Sequence, residues 1–225
     1  LAQTVEYVAM NVSGNPTFEI SEGADYFAVG TVTATTVEVK AKGNNTTSAA
    51  LAGKLVAKVN ENVLATIDLT QERNLAGATV VTIDFAVAND AFPTGKAEAT
   101  EKDFAYAGYT WKYCMAYYNS SSKYFMLNSK SSDVSYLTFP AVAGKKLIQV
   151  VVTNNKGASA KAIASIVPVD STTPVGGGEE QTWATVDAPT PYTYNLSATA
   201  VNTSYRLYAK KGNNVQVTKI VLTYE

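Results

Sequence analysis

The sequence predicts an all-β protein, an N-terminal immunoglobulin-like β-sandwich followed by a C-terminal antiparallel jelly-roll β-sandwich. Three observations predict it. Helix signals are nearly absent, apolar and polar residues alternate with period two along most of the chain, and Gly, Asn, Ser and Pro cluster between the alternating runs. A length of 225 residues suits one large β domain or two smaller ones, and a hydrophobic fraction of 46% supplies cores that a disordered chain lacks.

The first elements are "TFEIS" and "YFAV". In "TVEVKAK", Val37 and Val39 alternate with Glu38 and Lys40, so one face is apolar and the other charged. "GNNTTS" is a polar connection. "KLVAKV" and "LATIDLTQ" follow, joined by a turn at "NEN" (Asn60 to Asn62), which predicts a hairpin over 54–71. Six or seven short strands in this part suit a small sandwich. Gln71 to Asn74 is a charged, polar break, after which tyrosine and serine become dense. The boundary is placed at about residue 73, giving domains 1–73 and 74–225.

The second part reads as nine or ten strands, from "ATVVTIDFAV" through "YTWKYCMAYY", "KYFMLN", "SYLTFP", "KKLIQVVVTN", "KAIASIVPV", "TWATV", "PYTYNLSA" and "SYRLYAK" to "VQVTKIVLTY". No helix separates them, so they must pair antiparallel, and a two-sheet jelly roll is the natural solution.

Composition excludes several classes of chemistry. The net charge is −1, so no basic excess exists to neutralise phosphates; neither nucleic acid nor an anionic membrane surface is an expected partner. There is no histidine, which excludes Ser–His–Asp catalysis and histidine-bearing zinc sites. The single cysteine, Cys114, has no intrachain partner and reads as a small buried hydrophobe. No stretch reaches the ~20 apolar residues of a membrane helix, and "LAQTVEYVAM" lacks the basic and apolar regions of a signal peptide.

The richest candidate stretch is "YTWKYCMAYYNSSSKYFML", Tyr109 to Leu127, with seven aromatics in nineteen residues. Read as one strand, it places Tyr109, Trp111, Tyr113, Met115 and Tyr117 on one uniformly large face, which reads as core. Tyr118 and Tyr124 flank the "NSSSK" turn and are the better candidates for sugar stacking, with Asn119 and Lys123 to bond hydroxyls. Phe125 fits either side. Tyr192 and Tyr194 share a face and either line a groove or cover a sheet. Trp183, after "GGGEEQT", is a candidate ligand contact that reads more readily as core. Gly176 to Gly178 are expected to form a flexible tip; the β chain that follows rules out a phosphate cradle. The carboxylates fall mostly in turns and match no hydrolase motif, so no enzyme activity is expected. A structural calcium site is conceivable at Asn89, Asp90, Glu101 and Asp103, which are loop oxygens without an EF-hand pattern. No other cofactor is expected.

Residues 17–71 resemble the BACON domain, an immunoglobulin-like module of Bacteroidetes surface proteins. The resemblance rests on "TFEIS", "YFAV", "TVEVKAKGNN", "AGKLVAKV" and "ATIDLTQ" closing on Gln71. Phe18 stands where that family has a Trp, Asn44 or Asn45 fits its Asn, and the following Arg is missing. Most of residues 78–225 resemble the galactose-binding-like jelly rolls of secreted proteins of the same bacterial group, through "SYLTFPAVAGKKLIQVVVTNN" and "NTSYRLYAKKGNNVQVTKIVLTYE". These resemblances imply a non-catalytic glycan-binding or structural part of a lipoprotein. It would be monomeric, extracellular or on the outer-membrane surface, and anchored only through a lipid upstream of this chain. The alternatives are an adhesive module without a small ligand and, third, a hydrolase or its accessory. "DST", at Asp170 to Thr172, resembles the O-glycosylation motif of exported Bacteroidetes proteins and marks Ser171 as a modification candidate.

Overall fold

The computed structural model describes residues 2–9, 13–43, 45, 50–128, 132–155, 162–184, 187–212 and 214–225. Asn44 and much of the "GNNTTS" connection lie outside them. The chain divides into two compact units, Leu1–Ala76 and Gly77–Glu225. Both are built from antiparallel strands, as the alternation predicts, and no helix occurs among the described residues.

In the first unit the strands are β1 (Ala2–Glu6), β2 (Thr17–Glu22), β3 (Phe27–Val32), β4 (Thr36–Ala41), β5 (Leu51–Val59) and β6 (Asn62–Gln71). They form two three-stranded sheets, β1-β4-β3 and β2-β5-β6. Val37 and Val39 point inward from β4 and meet Phe27 and Leu55 in a small core. Gly53 is required there, because a Cβ on it would lie 2.6 Å from Cδ2 of Phe27. The predicted turn joins β5 to β6, with Asn60 and Glu61 both at positive φ (48° and 66°), the conformation that matches the twist of a two-residue hairpin.

The second unit contains β7 (Thr79–Asp84), β8 (Lys102–Tyr106), β9 (Tyr109–Cys114), β10 (Ala116–Asn119), β11 (Tyr124–Leu127), β12 (Tyr136–Thr138), β13 (Leu147–Asn154), β14 (Ala162–Pro168), β15 (Gln181–Trp183), β16 (Pro191–Asn195), β17 (Tyr205–Ala209) and β18 (Val215–Tyr224). Sheet I runs β10-β11-β18-β13-β16, with β7 also paired to β18; sheet II runs β15-β14-β17-β12-β9-β8. From β8 onward the chain crosses repeatedly between the sheets, and their inner faces share one core. Phe85 stacks on Phe125 at 4.9 Å and touches Phe92 at 4.9 Å, while Phe92 meets Tyr118 edge-on at 4.9 Å. Such ring pairs add about 0.5–1.5 kcal/mol each beyond the area they bury.

The single strand expected over "YTWKYCMAYY" is two strands, β9 and β10, in two sheets. Met115 has φ 47°, in the left-handed region, and there the chain leaves sheet II for sheet I. Three bonds hold the corner. Met115 N–H donates to Glu98 O (2.7 Å), and Met115 O accepts from Asn128 N–H (2.8 Å) and Ser135 Oγ (3.0 Å). They offset the cost of a left-handed non-glycine residue, about 1–3 kcal/mol. The alternation changes phase at this corner. Trp111 points into the core as predicted, but beyond Met115 it is Ala116 and Tyr118 that are buried, not Tyr117.

Candidate functional site

The phase change redistributes the aromatic candidates. Tyr118, expected at an exposed turn, is 3% exposed and packs against Phe85 and Phe92. Trp183 is fully buried and stacks on Tyr192 at 5.0 Å with 13° between the rings. Tyr192 is half-buried, and its hydroxyl accepts from Ala184 N–H (2.9 Å), closing the end of β15 over that stack. Tyr194 is fully buried and donates to Ala164 O across the sandwich (3.0 Å). Of the two readings of the Tyr192–Tyr194 face, the inward one holds, because both rings pack in or against the shared core. Phe125 and Cys114 are also buried.

The opposite, outward face of sheet I presents a different set. On β10 it carries Tyr117 and Asn119, on β11 Tyr124 and Met126, and on β18 Gln216. The register settles this, pairing Tyr117 with Met126, Asn119 with Tyr124, and Met126 with Gln216; residues opposite each other in a ladder share a face. All five are half-buried, with their outer surfaces open to solvent. Asn119 shapes the turn, its Oδ1 accepting from Ser122 N–H (3.0 Å) while its Nδ2 donates to the Tyr124 hydroxyl (3.2 Å). Lys123 closes the turn at φ 55° and is exposed. Asn155 Nδ2 donates to Gln216 Oε1 (3.0 Å), extending the row of amides. Partial burial raises the Tyr117 phenol pKa, and the neighbouring Tyr124 phenol adds to it, so the Tyr117 hydroxyl is a neutral donor at ordinary pH. The face combines two rings, a thioether and three amides, with no ionised group among them.

Sheet II carries a second polar cluster on its outer face. Glu101 pairs with Arg206 (3.0 Å) and Lys112 (3.2 Å) and accepts from the Tyr136 hydroxyl (2.9 Å). The Arg206 guanidinium lies 3.8 Å from the Tyr136 ring centroid and donates to Thr138 Oγ1 and Val169 O. Burial alone would raise the Glu101 pKa, but the bond from Tyr136 and the bond and charge of Lys112, with the Arg206 charge, hold it below the usual carboxylate value. With its donors committed to protein acceptors, Arg206 serves to hold the sheet together.

At Glu101, one of the residues expected to hold calcium, the carboxylate oxygens are engaged by Arg206, Lys112 and the Tyr136 hydroxyl. Asp103 sits on β8 opposite Lys112, and Asn89 Oδ1 caps a turn by accepting from Ala91 N–H (2.9 Å). Asp90 follows Asn89 in that exposed turn. Among the described residues, no group of three or more Asp, Glu and Cys side chains is placed to hold a metal ion. Ser171 is half-buried, and its Oγ accepts from Thr173 N–H (2.9 Å).

The expected flexible tip at Gly176 to Gly178 is instead a packed turn. Gly177 is at φ 81°, and its Cα faces the Asn195 carbonyl so closely that a Cβ would overlap it. Sequence reasoning missed Tyr117, Met126, Gln216 and Asn155. A corner formed by Met carries no turn signature, and the approach of β18 to β11 is set some ninety residues away.

No family model matches the chain, and no curated protein matches it. Among solved structures, one titled "BiXyn10A CBM1 APO" is similar at 12% identity with a TM-score of 0.38, over 64% of this chain and 97% of that chain. A likeness this faint supports no functional assignment.

Proposed function

We propose that the Gly77–Glu225 unit is a non-catalytic glycan-binding module whose contact surface is the outer face of the β10–β11 hairpin. The supporting observation is the adjacency, on paired strands, of Tyr117 and Tyr124 with Met126, flanked by Asn119, Gln216 and Asn155. A tyrosine ring offers apolar area to the C–H face of a pyranose and a hydroxyl to its edge, and amides both donate and accept. The absence of ionised groups from this row suits a neutral polysaccharide. In the same reading the Leu1–Ala76 unit is a BACON-like spacer, and the protein works at the cell surface through a lipid anchor carried elsewhere. The second reading is a structural or adhesive module. It is favoured by the complete burial of both tryptophans, Trp111 and Trp183.

The test is affinity electrophoresis and titration calorimetry of the whole chain against neutral xylans, glucans, mannans and galactans. The proposal expects one of them to bind, and Tyr117→Ala and Tyr124→Ala each to weaken it about tenfold or more. Binding untouched by both substitutions removes this face as the contact surface, and no binding at all selects the structural reading.

A further inference from the structure

The first unit is closed on one side and open on the other. Consecutive strands β2 and β3 pack together along one flank. Along the other flank the edge strands β1 and β6 leave a slot of about 470 Å³ between the sheets, lined by Val5, Phe27, Val39, Leu69 and Leu75 among others. β6 is ten residues long and, among the described residues, has a neighbouring strand, β5, on one edge only. It carries one charge, Asp68, and no proline or lysine. Val63, Leu64 and Ile67 on it are 58%, 46% and 38% exposed. Protein sheets usually guard such an edge with lysine, proline, a bulge or short length; β6 is long and has no lysine or proline, and its one bulge, at Leu64, lies toward its N-terminal end.

We propose that β6 is a self-association edge, pairing antiparallel with β6 of a second copy of this chain about a two-fold axis at Ile67. The occupant is argued from the strand's own register. Ile67 lies opposite buried Leu55 on β5, so Ala65, Ile67 and Leu69 belong to the inner face, and Thr66 and Asp68 to the outer one. A two-fold at Ile67 sets Ile67 against the partner's Ile67 and Ala65 against the partner's Leu69, an apolar ladder that continues the inner face past the slot. On the outer face it sets Thr66 against the partner's Asp68, and Asp68 against the partner's Thr66, a hydroxyl facing each carboxylate. The two Asp68 side chains are kept apart. Shifting the axis to Thr66 would place Leu64 against the partner's Asp68, an apolar group against a charge. Clear of the bulge at Leu64, the contact line runs from Ala65 to Leu69, five residues at about 3.4 Å each or about 17 Å, which makes this a small, reversible interface.

Sedimentation equilibrium over rising protein concentration tests the association, and cysteine crosslinking tests its register. The native Cys114 is buried and stays silent. Wild type is expected to dimerise reversibly, and Ile67→Lys to weaken dimerisation about tenfold or more, while Val80→Lys, at a more exposed valine on β7, leaves it unchanged. Under mild oxidation Ile67→Cys is expected to form a disulfide-linked dimer. Thr66→Cys and Asp68→Cys are expected to crosslink when mixed together but not singly, since opposed Cβ atoms lie within disulfide reach only in register. A wild type that stays monomeric at all concentrations, or equal crosslinking by all three single cysteines, overturns the proposal.

Discussion

Gly177 offers a sharp test of how the second unit is held together. It is at φ 81°, in a turn tied down by four backbone bonds: Val175 N–H to Ile166 O (3.0 Å), Ile166 N–H to Gly178 O (2.8 Å), Gly178 N–H to Val175 O (2.7 Å) and Ser197 N–H to Gly176 O (2.9 Å). In Gly177→Ala the left-handed conformation alone costs about 1–2 kcal/mol. The new Cβ also overlaps the Asn195 carbonyl and lies 3.1 Å from Leu196 Cα, so the turn must move away from β16. Loss of two of the four bonds adds roughly 2 kcal/mol at about 1 kcal/mol net each. The expected total is about 3–4 kcal/mol, a large share of the roughly 5–15 kcal/mol that stabilises a typical domain. Gly144 supplies the control. Its φ is 71°, but a methyl placed on it would meet nothing within 4 Å, so Gly144→Ala is expected to cost only the conformational part, about 1–2 kcal/mol. Both tryptophans lie in the second unit, so urea unfolding followed by tryptophan fluorescence reads that unit alone. Equal midpoints for the two variants would refute the packed-turn reasoning and restore a flexible tip.

Further outcomes are expected elsewhere. Tyr224→Phe removes the bond from its hydroxyl to Pro140 O (2.5 Å) inside the core and should cost about 1–3 kcal/mol in the same urea assay. Burial raises the phenol pKa values of Tyr194 and Tyr224, so the stability they contribute is complete below the unfolded phenol value of about 10 and declines as pH rises above it. An ultraviolet titration should therefore show a set of tyrosines that ionises only with unfolding. Glu101 behaves in the opposite sense. Its folded pKa is depressed, so its contribution is present above the unfolded carboxylate value and is lost as pH falls through the folded one. Glu101→Gln should flatten the acid limb of a stability-against-pH curve, and an unchanged limb would remove Glu101 from the account.

How far the sequence reaches is clearest at the aromatic stretch. Period-two alternation makes strands of 109–114 and 124–127 and buries Trp111, because a pleated backbone sends alternate side chains to opposite faces. The hairpin at Asn60 and Glu61 is equally legible, since asparagine tolerates positive φ and a two-residue turn demands it. Composition alone removed histidine chemistry and intrachain disulfides. Tertiary structure decided which faces are buried just beyond Met115. That residue enters the left-handed region only because Glu98, Asn128 and Ser135, distant in sequence, supply its hydrogen-bond partners. The resulting change of phase buries Tyr118 and turns Tyr117 outward beside Tyr124. Local alternation dictates which residues share a face within a strand; which face is wet depends on the sheet the strand joins, and long-range pairing makes that choice.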